Sequence, residues 1–107
     1  MKFRVLMEPR AKSQFMQIVR WLCRRTTEGA ARWIDAFEQM IDDLEDHADN
    51  CGLAEENSLV SREIRETRFK TKHGRTYRAV FTILNGQVRI LAIRGPGQAP
   101  LKRRDLL

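Results

Sequence analysis

The stretch that decides the fold is residues 75–94, which read RTYRAVFTILNGQVRILAIR. Two runs rich in β-branched residues flank the dipeptide Asn85-Gly86: Arg75–Leu84, which also contains two aromatic residues, and Gln87–Arg94. Asn-Gly readily takes the positive φ angles that a tight turn between twisted antiparallel strands requires. The stretch therefore predicts a β-hairpin. A further run, Val60–Lys70, comes before it and predicts a third antiparallel strand.

Alternation of side chains along these strands assigns each residue to one of the two faces of the sheet. In the Arg75–Leu84 strand, apolar residues fall on both faces. In the Gln87–Arg94 strand, strict counting gives two sets: Val88, Ile90, Ala92 and Arg94 on one face, and Arg89, Leu91 and Ile93 on the other. A sheet that is apolar on both sides, with helices on only one of them, predicts an open second face that binds a partner.

Two amphipathic helices are predicted upstream of the strands. From Pro9 to about Arg24, apolar residues recur at helical spacing, and proline suits the first helical turn. The clearest periodicity of the chain runs from Ala30 to Ala48, after a short break at residues 26–29 in which Thr27 is the expected cap. So short a connection predicts an antiparallel helical hairpin.

An alternating segment, Lys2–Met7, predicts a strand before the first helix, and the aperiodic stretch Asp49–Ser58 predicts the loop that leads to the later strands. The order is strand, helix, helix, then three strands. This pattern indicates an α+β fold in which a helical hairpin lies on a basic, antiparallel sheet. At 107 residues the chain is long enough for one core, so a single domain spanning residues 1–107 is expected.

Charge is segregated along the chain, which carries a net +6 at pH 7. Residues 1–34 hold eight basic and two acidic residues, residues 35–56 hold nine acidic and no basic ones, and residues 57–107 hold twelve basic and three acidic ones. The basic second half favours an anionic partner, such as nucleic acid, the ribosome or an acidic protein.

The same composition argues against several other classes of protein. Two cysteines, Cys23 and Cys51, are too few for a metal-ligand set, and reduced thiols are expected. No apolar run is long enough for a signal peptide or a membrane span, so a cytoplasmic protein without a membrane partner is expected. No phosphate-binding loop or zinc-ligand spacing occurs, and no cofactor or metal is implied.

Several short segments follow one another along the chain in a characteristic order. They are Trp21 near the end of the first helix, Ala30-Ala31-Arg32-Trp33 opening the second, Cys51–Glu56 in the connection, Ile64-Arg65-Glu66, Tyr77–Phe81 and Val88–Arg94. Their order and spacing resemble the RelE/ParE superfamily of bacterial toxins. The resemblance implies the toxin of a type II toxin-antitoxin system, which a cognate antitoxin neutralises. Its implied target is DNA gyrase in ParE-like members, or messenger RNA in the ribosome in RelE-like members.

The resemblance also supplies the candidate catalytic residues. Arg78 matches the arginine of the family's Tyr-Arg pair, and its planar, permanently charged guanidinium suits a phosphate. Arg68 matches a position where RelE-like toxins carry a functional lysine, and Arg94 lies at the end of the last strand. His73, in the turn before the Tyr-Arg strand, is the candidate for proton transfer. Tyr77 is expected to point to the opposite face and into the core.

Three functions remain open at this point. The length of the helical hairpin and the absence of a clear acid-base set favour gyrase inhibition slightly. RNA cleavage is the alternative, because RelE-like nucleases can act through lysine and arginine, and this chain is rich in both. A non-toxic, basic nucleic-acid-binding module is the third function, although aromatic residues make up only 7% of the chain, too few for a stacking platform.

Overall fold

The computed structural model of the protein describes residues 2–107. Both helices and the strands occur in the predicted order, with short 3-10 turns in the connections. The elements are β1 (Arg4–Met7), α1 (Pro9–Arg25), α2 (Thr27–His47), β2 (Arg65–Phe69), β3 (Tyr77–Leu84) and β4 (Gln87–Arg94). The α+β fold is thus confirmed. No helix within residues 2–107 is long and apolar enough to cross a membrane.

The sheet has the order β1-β4-β3-β2. The three later strands are antiparallel, as predicted. The prediction of a wholly antiparallel sheet is wrong at β1, which pairs with β4 in parallel, with Val5 opposite Val88. The two helices follow β1 and precede the three later strands, so β1 is joined to β4 through a long connection and runs in the same direction. Such long crossovers are the usual connection for parallel neighbours.

The turn between β3 and β4 confirms the predicted hairpin. Asn85 and Gly86 have φ angles of 52° and 75°, the left-handed conformation that this two-residue turn requires. Between the helices the break is shorter than predicted. Thr26 alone separates them, so it, rather than Thr27, occupies the cap position of α2. Its hydroxyl donates a hydrogen bond to the Glu28 carboxylate at 2.8 Å.

The main core lies between the helical hairpin and one face of the sheet. Its centre is an aromatic cluster with ring centroids 4.7 to 5.9 Å apart, and Tyr77 packs there as predicted. The members of the cluster are Phe15, Trp33, Phe37, Phe69 and Tyr77. These rings fill the space between the apolar faces of the two helices and the sheet.

The opposite face of the sheet, here called the far face, is not open. The chain covers it with its own connection and C-terminal segment, which form a second buried cluster with Val80, Leu91 and Ala92 of the sheet. Leu101 and Leu106 supply the C-terminal part of this cluster. The prediction of an uncovered apolar face is therefore wrong, because residues that looked irregular in the sequence bury its apolar side chains.

A β-bulge changes which residues of β4 share a face. Val80 pairs with Ala92 but Phe81 pairs with Ile90, which leaves Leu91 as the extra residue. Beyond the bulge the alternation is inverted. Ile93 therefore packs in the main core and Arg94 lies opposite Arg78, whereas strict counting had placed Ile93 with Arg89 and Arg94 with Ile90.

Candidate functional site

Three of the four candidate catalytic residues meet in one cross-strand row. Arg68 of β2 pairs with Arg78 of β3, which pairs with Arg94 of β4. Directly paired residues project from the same face of a sheet, so the three side chains share the far face. We call this set the arginine row. It lies near the end of the sheet at which β2 turns into β3, and it depends on the bulge that reorients Arg94.

Arg78, at the centre of the row, is held by two carboxylates. Its two terminal nitrogens donate to the two oxygens of Glu56 at 2.9 and 2.5 Å, and one of them also reaches Glu66 at 3.2 Å. Only 16% of the Arg78 side chain is exposed, and none of the Glu56 side chain. The forked, bidentate geometry is the strongest form of a charge-assisted hydrogen bond. The guanidinium of Arg78 is therefore already engaged within the protein.

Glu56 also binds the C-terminal segment. It lies in the 3-10 turn Glu55–Leu59, and its carboxylate accepts a hydrogen bond from the Leu101 amide at 2.9 Å. Burial alone raises the pKa of this carboxyl, but the hydrogen bonds from Arg78 and Leu101 and the charge of Arg78 together hold it below the ordinary value of 4.5. Sequence reasoning missed this role, because nothing local distinguishes buried Glu56 from exposed Glu55.

The lowered pKa of Glu56 predicts how stability depends on pH. A carboxyl whose folded pKa is depressed stabilises the fold fully above its unfolded pKa, near 4.5, and loses that contribution as the pH falls through the folded value. We expect the free energy of unfolding to fall below about pH 4.5, and to fall less steeply in Glu56→Gln, which cannot titrate there. Denaturant unfolding between pH 7 and pH 3 measures both slopes. Equal slopes would contradict the prediction.

The outer members of the arginine row are less engaged than its centre. Arg68 uses only its Nε, which lies 3.1 Å from Glu66, and 72% of its side chain is exposed. Arg94 forms no ion pair or side-chain hydrogen bond within residues 2–107, and its Nε is buried without a partner. Arg89, whose Nε is also buried and unpartnered, differs because its terminal nitrogens bind Glu8 and Gln87.

A further carboxylate lies beyond Arg94. The backbone amide of Lys102 and then the charges of Arg10, Arg94 and Arg104 hold the pKa of Asp105 below its ordinary value of 3.8. Arg10 approaches it directly, at 3.2 Å. The positive charge of the row thus continues from β4 onto the start of α1 and the C-terminal segment.

A shallow, open depression lies over the row. Its lining includes all three arginines with Thr76, Tyr77, Gly95 and Gln98. His73, the fourth candidate, is exposed in the turn between β2 and β3 and is not part of this lining. Burial raises the pKa of the Tyr77 phenol, so this side chain releases a proton less readily than a free tyrosine.

Neither cysteine is paired, and among residues 2–107 no three His, Cys, Asp or Glu side chains come together to hold a metal ion. Cys23 is exposed, and burial raises the pKa of the half-buried Cys51 thiol. The arginines and their carboxylates are accordingly the charged groups that the fold concentrates on the far face.

A family model described as the ParE toxin of the type II toxin-antitoxin system, parDE, matches residues 5–100. The match runs from β1 to beyond β4, and so includes the helical hairpin, Glu56 and the whole arginine row. No curated protein gave a significant match.

Proposed function

The chain belongs to the ParE toxin family of type II toxin-antitoxin systems, and from this premise we propose that it arrests growth by inhibiting DNA gyrase. Membership of the family implies a cognate antitoxin as its partner. The choice of gyrase as the target is our proposal, and it depends on what the arginine row is equipped to do.

The observation that carries the proposal is the engagement of Arg78. RNA cleavage next to a 2′-hydroxyl needs a cation free to stabilise the charged phosphorane, and groups that move protons to and from it. The best candidate for the cation, Arg78, already has both of its terminal nitrogens bound to Glu56 and Glu66. A nuclease would have to break a buried, bidentate ion pair before Arg78 could reach a phosphate.

The arginine row also lacks a suitable group for proton transfer among the candidate residues. His73 lies outside the depression over the arginine row, and the raised pKa of Tyr77 makes it a weak acid. The helices of 17 and 21 residues also support the ParE-like function, as their predicted length did. These features together favour inhibition by binding over catalysis.

RelE-like cleavage of messenger RNA remains the second candidate, and one observation favours it. Three arginines in adjacent strands share a face, and the guanidinium of Arg68 is mostly exposed. A nuclease would use Arg68 and Arg94 as its cations and would need its proton donor from elsewhere. A non-toxic binding module is the third candidate, and loss of toxicity would identify it.

Induced expression of the chain in bacteria without its antitoxin separates the three candidates. We expect incorporation of labelled thymidine to fall within the first minutes, before that of labelled amino acids, and the purified chain to reduce supercoiling of relaxed plasmid by gyrase. An immediate fall in protein synthesis with cleaved transcripts would overturn the proposal in favour of the nuclease. Unchanged incorporation of both labels would identify a non-toxic module.

A further inference from the structure

The two outer arginines of the row, Arg68 and Arg94, have hydrogen-bond donors without a protein partner among the described residues. The terminal nitrogens of Arg68 have no protein partner within residues 2–107, and the guanidinium of Arg94 has none at all. A buried N–H without a partner is costly, and native proteins rarely retain one without a reason. Apart from the buried Nε of Arg94, these free donors face solvent, so an anion placed in the depression between the two side chains could replace water as their acceptor.

The charge around the depression is positive after all internal pairing is counted. Five arginines interact with four carboxylates, which leaves one positive charge: Arg10, Arg68, Arg78, Arg94 and Arg104 against Glu55, Glu56, Glu66 and Asp105. The positive groups follow a line from β2 across the sheet to the C-terminal segment. A linear polyanion suits such a line better than a single small anion does.

Arg68 and Arg94 are two strands apart, which separates their backbones by roughly 10 Å. That distance is about three nucleotide steps along the axis of one DNA strand. Planar guanidinium groups are the side chains best suited to bind phosphate oxygens through paired donors. The spacing therefore allows the two arginines to contact separate phosphates of the same strand.

The surroundings favour a duplex over a single strand. Proteins bind single-stranded nucleic acid by stacking bases on exposed aromatic side chains. Tyr77, the only aromatic residue in the lining of the depression, packs against Trp33 and Phe69 in the main core. The arginine row thus offers contacts to a phosphate backbone and no ring on which a base could stack.

We propose that the arginine row binds the phosphate backbone of duplex DNA, with Arg68 and Arg94 as the direct contacts on either side of the internally paired Arg78. Binding through phosphate contacts does not read sequence, because the phosphates are the same at every base pair. This inference goes beyond gyrase inhibition, since DNA binding would be a property of the chain itself and needs no second protein.

The test is the binding of a fluorescently labelled 20-base-pair duplex by the purified chain, measured by anisotropy at several salt concentrations. For Arg68→Gln with Arg94→Gln, we expect the slope of log K against log salt to fall by about 2, one unit for each phosphate contact removed. The same relation gives a loss of affinity of roughly 50- to 100-fold at 0.1 M salt.

Arg20→Gln with Arg24→Gln is the matched control. It removes the same charge from the exposed side of α1. We expect its salt slope to be unchanged and its affinity to fall less than about threefold, as loss of net charge alone would give. Circular dichroism checks that each variant is folded. Because Arg68 is mostly exposed and Arg94 has no partner to lose, neither substitution breaks an internal pair that the fold requires.

Three results would overturn the inference: no duplex binding by the natural chain at 50 mM salt, equal losses in the two double variants, or tighter binding to single-stranded RNA of the same length. The inference and the proposed function fail separately. If the chain inhibits supercoiling by gyrase but does not bind the duplex, gyrase remains the proposed target and the DNA contact is wrong. If the chain binds the duplex but does not affect gyrase, the DNA contact stands and gyrase inhibition is wrong.

Discussion

Replacing Glu56 by alanine is expected to lower the free energy of unfolding by about 3–5 kcal/mol, because it leaves the charge of Arg78 in a largely buried site without its bidentate partner. The amide of Leu101 loses its acceptor in the same variant. A loss of this size is a large fraction of the total stability of a small domain, so the variant should be partly unfolded at growth temperature.

Glu55→Ala is the matched control, since it removes the same chemical group one residue away. Glu55 is exposed, and a surface substitution of this kind changes stability by about 0.5 kcal/mol or less. Chemical denaturation of the three proteins at pH 7 gives the comparison directly. If the two variants were equally stable, the Glu56–Arg78 pair would not exist in solution as it does in the structure.

A second variant separates charge from shape. Glu56→Leu combined with Arg78→Met removes both charges and keeps most of the buried volume. Replacing a buried ion pair by apolar groups is often neutral, whereas breaking it is not. We therefore expect the double variant to recover much of the stability that Glu56→Ala loses. No recovery would mean that the Leu101 contact, rather than the charge, is what Glu56 provides.

The pair also changes how an Arg78 variant should be interpreted. Arg78→Ala removes a cation, but it also leaves Glu56 as a buried carboxylate without its partner. Loss of toxicity in that variant would therefore report a weakened fold as readily as a lost functional group. Substitution of Arg68 or Arg94 leaves no buried carboxylate without its partner, so variants at these positions test function more directly.

Local chemistry was enough to predict the helices and the β3–β4 hairpin. The apolar spacing of α1 and α2 and the Asn85-Gly86 turn each depend on residues close together in the chain, and the structure confirms them. The direction of β1 was not predictable in the same way. Alternation marks a strand without specifying its partner, and the parallel pairing with β4 is a contact between residues more than eighty positions apart.

The candidate site was predicted in part for the same reason. Arg68, Arg78 and Arg94 were selected from their resemblance to a family, but strict counting put Arg94 among the apolar side chains of β4. The bulge at Leu91 inverts the alternation, and no residue type in β4 predicts a bulge at that position. Glu56 was missed because its burial depends on Leu101 and Arg78, which are 45 and 22 positions away.

The C-terminal segment gives the second large effect. Leu106→Ala is expected to cost about 2–5 kcal/mol of unfolding free energy, because Leu106 is 1% exposed in the apolar cluster that covers the far face. Its carbonyl also accepts a hydrogen bond from Arg62, and Leu101 of the same segment binds Glu56. The segment thus closes the sheet on the side that lacks helices.

Leu107→Ala is the adjacent control, since 83% of Leu107 is exposed and its loss should change stability by about 0.5 kcal/mol or less. Thermal or denaturant unfolding of the two variants decides between two descriptions of the far face. A large difference means that the chain buries Val80, Leu91 and Ala92 by itself, so a partner meets the arginine row and not an apolar sheet. Equal stabilities would mean that the far face is open in solution, and the partner would then be recognised by apolar burial rather than by charge.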